Sequence, residues 1–377
     1  MTFSTWARRI LLPFLITRAG LLAAGVLALG LMGSARDRMP GNLIAHPPAP
    51  LPLEIWARWD SEWYLLIAEQ GYSAGDALAR YGTRYWIEDT AGFFPLYPLL
   101  VRGLTLTGLG PLAAAILLSN LALLAALTLL HELVRDRCGE EAAGGAVWAL
   151  LAFPTSLFLS AVYSESLSLA LTLGAFQAAR RGRWGNTAVA GFLCALSRPT
   201  GVLVALPLAW EVWERRGGWK GWLSLGGFPA GTAAFCFFCL RVFGDPFAWA
   251  HRQERWRGAI SGPWRAFQRF AEQPPQLHGA HNSLLELALA ILFLAALAPM
   301  IRRFPRSWGT HAALSVLVPL GSTLWSFGRL SLSTFPAFAL AGEVSRGRPG
   351  VLNAYLAVCL PLGGLLMALF ACGWWVG

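Results

Sequence analysis

The chain has 377 residues, of which 56% are hydrophobic and only 13% charged, and it carries a net charge of +10. A soluble domain has roughly 25% charged residues, so these values exclude an ordinary soluble enzyme and indicate an all-α polytopic membrane protein. Nearly all of the positive charge is arginine in short loops, with Lys220 the only lysine; that scatter argues against a nucleic-acid surface.

In chain order, Arg8 and Arg9 precede the apolar run Leu11–Met32. This run is longer than a secretory apolar region of about 7–15 residues, so it reads as a retained first span. Residues 34–110 follow as a first outer loop. Within it, "IWARWDSEWYLLIAEQGY" (55–72) reads as a helix with Trp56, Trp59, Asp60, Trp63, Tyr64 and Ile67 on one face and Glu62 and Glu69 off it. A carboxylate centred in an aromatic stripe reverses the usual amphipathic pattern, which makes Asp60 the first candidate for chemistry. "FFPLYPLLVRGLTLTG" (93–108), which contains Tyr97, reads as a re-entrant or interfacial helix, because a full span there would put the later arginine loops outside.

Pro111–Leu130 then crosses inward to "RDRCGEE", and a hairpin turns outside at "YSES" (163–166) before returning to "RRGR" (180–183). Proline and glycine break the next apolar stretch at Ser197–Gly201. A further span exits near Arg241, a second outer loop covers 244–282, and four more spans leave "SFGRLS" (326–331) outside. The path has about eleven spans, a cytoplasmic N-terminus and one membrane domain over 1–377. The six cysteines lie nearly all in apolar runs, and "CFFC" (236–239) reads as two small apolar residues of a helix.

This topology gathers Asp60, Tyr97, Tyr163, Glu165, Arg198 and Arg329 at the outer face. Ionisable groups at membrane depth are costly and mark function. Arg198 and Arg329, each at a break in an apolar run, either snorkel to the interface or bind phosphate through the guanidinium fork. Arg58, Tyr64, Ser164 and Glu165 join them as candidate donor-binding residues, although a hairpin tip such as Glu165 is commonly just solvated. "GDPFAWAHRQERW" (244–256) reads as a turn and an amphipathic helix. From it His251, Gln253 and Trp256, with Glu62, are candidates for the acceptor side. "HGAH" (278–281) has metal-like spacing but no third ligand, so no metal site is expected.

"RWDSEWY", "FFPLYPLL", "FPTSLFLSAVYSESLSLAL" and "SRPTGVL" occur in this order over roughly 55–205. Together they resemble the PIG-V family, the GPI mannosyltransferase 2 type, and its bacterial relatives. The resemblance implies a GT-C fold in the cell membrane with an extracytoplasmic active site. It also implies a polyprenyl-phosphate-mannose donor, a lipid or glycan acceptor, and a key aspartate that falls on Asp60. Glu62 stands two residues from Asp60 rather than beside it, which disfavours a metal-bridged pair, so no cofactor is expected and a divalent cation is the lesser alternative. The competing function is a lipid-linked sugar flippase or transporter that uses the same arginines for phosphate and Asp60 for protons.

Overall fold

The computed structural model describes residues 2–33, 50–72, 87–278 (backbone alone at 87–89) and 281–377. Parts of the expected first outer loop, 34–49 and 73–86, therefore lie outside the described residues. Among the described residues the chain is helical throughout, with one isolated bridge, Gln276 to Ser283, and no strand.

Among the described residues five helices are long and apolar enough to cross a membrane: Phe3–Met32, Pro111–Cys138, Gly218–Phe243, Leu284–Arg303 and Pro349–Ala371. At 1.5 Å per residue they match or exceed a hydrocarbon core of about 30 Å. They turn apolar side chains outward, such as Leu15, Leu121, Phe237, Leu292 and Val358. Lipid, not protein, suits those surfaces, and the protein is a multi-pass membrane protein.

The other helices are shorter and come in interrupted pairs. Glu140–Ala152 and Glu165–Arg180 flank a first break, Trp184–Ser197 and Ala205–Glu214 a second, and Arg306–Leu320 and Phe335–Ser345 a third. Each leg has 10–16 residues, roughly 15–24 Å, short of a full crossing. The path read from the sequence counts these legs among its about eleven spans; the five long helices are the ones of crossing length and composition among the described residues. Leu96–Thr105, with 10 residues, is about half a span and packs on Ser61–Gln70 and Pro111–Cys138.

Glycine lets the inner legs approach closely. A Cβ on Gly342 would stand 2.1 Å from the carbonyl oxygen of Ala142, and one on Gly145 would stand 2.9 Å from the Cα of Gly342. Such contact is how helices associate where no hydrophobic drive separates protein from lipid. Irregular backbone is tolerated at this depth only where protein satisfies it. At the first break Arg18, buried in the first long helix, does so: its Nη1 donates to the Ser156 carbonyl (2.9 Å) and its Nη2 to the Leu151 carbonyl (2.9 Å) and the Ser156 hydroxyl (3.1 Å).

Candidate active site

The three breaks, the segment before Ser61–Gln70 and the helix Ala248–Arg257 supply the charged groups of one cavity of about 1240 Å³. The helix expected over 55–72 is itself broken. A single turn, Leu51–Glu54, ends before Ile55, and regular helix resumes only at Ser61. Trp59 lies between them with φ +58°, one of three non-glycine residues in the left-handed region, a conformation that stores strain. Asp60 therefore precedes the helix instead of lying within an aromatic stripe.

Its carboxylate caps no helix N–H. Oδ2 accepts a 2.7 Å hydrogen bond from Nη1 of Arg329, while Oδ1 takes none from any described residue. The Asp60 side chain is 31% exposed and lines the cavity.

Arg329 sits on the turn Phe327–Leu330 of the third break. That turn is fixed at Gly328, whose N–H donates to Oε2 of Glu286 (2.6 Å) and whose carbonyl accepts from Thr155 (2.7 Å). Ser326 just before it has φ +64°. The guanidinium stacks over Phe158, Tyr163 and Trp375, with 5.1–5.5 Å to the ring centroids, a favourable cation–π setting.

Glu165 begins the helix after the first break and is nearly buried, so its expected place as a solvated hairpin tip is corrected. The break folds inward because residues 153–164 are apolar or hydrogen-bonded and wholly buried. Oε1 of Glu165 is 2.7 Å from Nη1 of Arg198 and 3.6 Å from Nε of Arg329. Arg198 is extended (φ −157°, ψ 154°), as expected before Pro199, and this ends the helix and turns the guanidinium to Glu165. The outcome is a charge chain Asp60–Arg329–Glu165–Arg198.

The other candidates divide. Tyr64 lines the cavity and its hydroxyl meets that of Ser164 at 2.9 Å. Ser164 and Tyr163 lie buried behind the wall, and Tyr163 donates to the Arg58 carbonyl at 3.0 Å. Gln253 and Trp256 line the opposite wall; Gln253 donates to the Gly92 carbonyl at 3.1 Å, and the Trp256 ring packs on Phe93.

Arg58, Tyr97, Glu62 and His251 do not line the cavity. Arg58 donates to the carbonyls of Ala371, Glu54 and Ala57; it closes the end of the last helix and is not placed to hold a donor. Tyr97 is buried on Ser119 and Ala115. His251 pairs with Asp245 at 2.7 Å on the surface. The histidines of "HGAH" diverge, His278 to the Trp375 carbonyl and His281 to the Thr323 hydroxyl. Among the described residues no three His, Cys, Asp or Glu side chains converge on a metal position.

Sequence reasoning missed three contributors. Arg257 lines the cavity one residue beyond the motif that was read. Burial pushes its guanidinium down to about 10, with repulsion from Arg329 and Arg198 adding to the effect against attraction from Glu286 and Asp60. Glu286 fixes the Arg329 turn from within a long helix. Cys372–Trp375 close one side of the cavity, where the signal was a pair of tryptophans after an apolar run.

The profile of the family described as Mannosyltransferase (PIG-V) matches residues 51–206. A GPI alpha-1,6-mannosyltransferase 2 from Rattus norvegicus is 32% identical over 154 residues, 37% of this chain and 28% of that protein. The aligned part thus spans little more than a quarter of the curated relative. The crystal structure of ArnT from Cupriavidus metallidurans bound to undecaprenyl phosphate superposes with a TM-score of 0.52 at 18% identity, over 90% of this chain and 61% of that one. The resemblance to PIG-V mannosyltransferases is borne out over 51–206, and the GT-C fold over most of the chain.

Proposed function

We propose that this protein is a membrane glycosyltransferase that moves mannose from a polyprenyl-phosphate-mannose donor to a glycolipid or glycan acceptor, with inversion, at the extracytoplasmic face. Asp60 is the general base. The observation that carries the reading is a carboxylate clamped through one oxygen by Arg329 and open at the other to a large cavity.

The acceptor hydroxyl oxygen attacks the anomeric carbon as its proton passes to Oδ1 of Asp60. The bond from the anomeric carbon to the phosphate oxygen breaks, and its electron pair leaves on the polyprenyl phosphate. One displacement inverts the centre, so a β-linked donor gives an α-mannoside. Arg329 fixes the base in place before reaction, and such orientation lowers the barrier. The leaving phosphate gains negative charge, which positive groups already in position stabilise without reorganisation. A monophosphate carries less charge than a nucleotide diphosphate, so this chemistry calls for no metal.

The sugar is supported by the match to the mannosyltransferase family, and the lipid-phosphate class by the ligand named for the ArnT structure. The face is supported by the arginine-rich short loops, which stay cytoplasmic. The chain purified into lipid discs should transfer radiolabelled mannose from polyprenyl-phosphate mannose to extracted membrane acceptors; no transfer to any acceptor fraction would overturn the reading. For the orientation, exposed Gln273→Cys in a cysteine-free background should react with an impermeant reagent in intact cells, and exposed Arg183→Cys only after lysis. The reverse pattern would invert the path.

A further inference from the structure

Three arginines line the cavity: Arg198, Arg257 and Arg329. Two are already committed, Arg198 to Glu165 at 2.7 Å and Arg329 to Asp60 at 2.7 Å with Glu165 at 3.6 Å. Arg257 has no carboxylate within salt-bridge distance among the described residues, and its Nη2 is buried without a hydrogen-bond partner. Asp60 and Glu165 are thus taken by Arg329 and Arg198, and Arg257 is the lining arginine left without a carboxylate partner among the described residues. Glu254 on the same helix also lines the cavity but is exposed, and Oε2 of buried Glu286 is spent on the Gly328 N–H.

The position of Arg257 is built. It ends the helix Ala248–Arg257, which stops at Gly258 with φ +78°. Its carbonyl accepts a hydrogen bond from Nη1 of Arg269, and the Arg269 guanidinium lies where a Cβ on Gly258 would be. The left-handed φ of Gly258 favours glycine there, and the Arg269 hydrogen bond fixes the helix end from which the Arg257 side chain projects. A desolvated cation with open donors, beside neutralised neighbours, suits the phosphodiester monoanion of a polyprenyl-phosphate-sugar donor and the phosphate monoester it leaves behind.

We infer that Arg257 is the phosphate-binding residue of this cavity, with Arg198 and Arg329 acting as clamps for the two carboxylates. The inference rests on the proposed lipid-phosphate donor and deepens it. It moves the phosphate from the residues singled out by sequence to the second outer loop.

The phosphate could belong to a polyprenyl lipid or to a free ion, so the test titrates both. Purified protein in detergent is titrated with a short-chain polyprenyl phosphate and, separately, with inorganic phosphate, with no sugar and no turnover involved. For the lipid, Arg257→Gln should weaken binding about ten- to hundredfold, the range of a charge-assisted contact. Arg257→Lys should recover part of it, since charge returns without the fork. Wild-type binding left intact in both variants would overturn the inference while leaving the donor reading in place. Inorganic phosphate binding that depends on Arg257, with no binding of the lipid, would uphold the phosphate site and sink the lipid donor. Binding of neither by the wild type would sink both.

Discussion

The two walls of the cavity differ in how their charges are settled. On the wall built from the broken inner helices and the Asp60 turn, Asp60, Glu165, Arg198 and Arg329 are paired within the protein. On the wall from the helix Ala248–Arg257, Trp249, Gln253 and Trp256 are neutral, Glu254 is exposed, and Arg257 has no carboxylate partner among the described residues. The difference teaches what each wall is for. Paired charges have their geometry before substrate arrives, at the expense of having less to offer it. An unpaired one is less fixed and leaves its donors for a ligand.

The sharpest way to break the contrast is at the one open atom of the paired wall. Asp60→Asn keeps the shape and a hydrogen bond toward Arg329 but removes the proton acceptor. Positioned acid–base groups contribute typically 10²–10⁴-fold, so transfer should fall by about that factor while lipid-phosphate affinity stays within a few-fold. Turnover close to wild type would take Asp60 out of the base role. Next is Glu165→Gln, which strips the acceptor shared by two guanidiniums. Breaking a buried pair costs roughly 3–5 kcal/mol because the remaining charge is uncompensated. The midpoint of thermal unfolding in detergent should drop by several degrees, and an unchanged midpoint would show that the wall is not held through this carboxylate. The smallest effect belongs to Glu62→Gln. It lies two residues from Asp60 yet off the cavity, and its transfer rate should stay within about threefold of wild type; a loss like that of Asp60→Asn would mean that both acids act.

How much of this was legible follows from which signals are local. Asp60 could be read because a carboxylate amid tryptophans is anomalous within a few residues of sequence. Arg198 could be read because Pro199 marks its helix break. The conformation of Asp60 could not, since nothing in "RWDSE" announces a tryptophan with positive φ. Arg58 and Arg329 look alike in sequence, and what separates them is distant. Arg58 meets a carbonyl 313 residues away, and Arg329 meets Asp60 269 residues away. Glu165 could be singled out, but its burial could not, because "YSES" shows polarity and not that residues 153–164 fold inward. Arg257 was lost among the arginines of a polar helix, where only the absence of a partner distinguishes it. The five long helices were visible as apolar runs. The helices that flank the breaks are shorter, and of their ends the one at Ser197–Gly201 was legible because proline and glycine mark it.

Arg18 imposes a timetable on assembly. Its guanidinium sits in the helix Phe3–Met32, yet its acceptors include the Ser156 carbonyl, 138 residues later. At about 5–20 residues per second of synthesis, those acceptors follow on the order of ten to thirty seconds behind. During that interval the cation has no internal partner at Ser156, and an arginine at the centre of a lone helix is penalised by roughly 2.5–3.5 kcal/mol on insertion scales. The apolar side chains around it, among them Leu15, Ile16 and Leu22, must hold the helix in the bilayer meanwhile. This helix thus reaches its final neighbours only after the first break has been synthesised, and the order of translation differs from the order of docking.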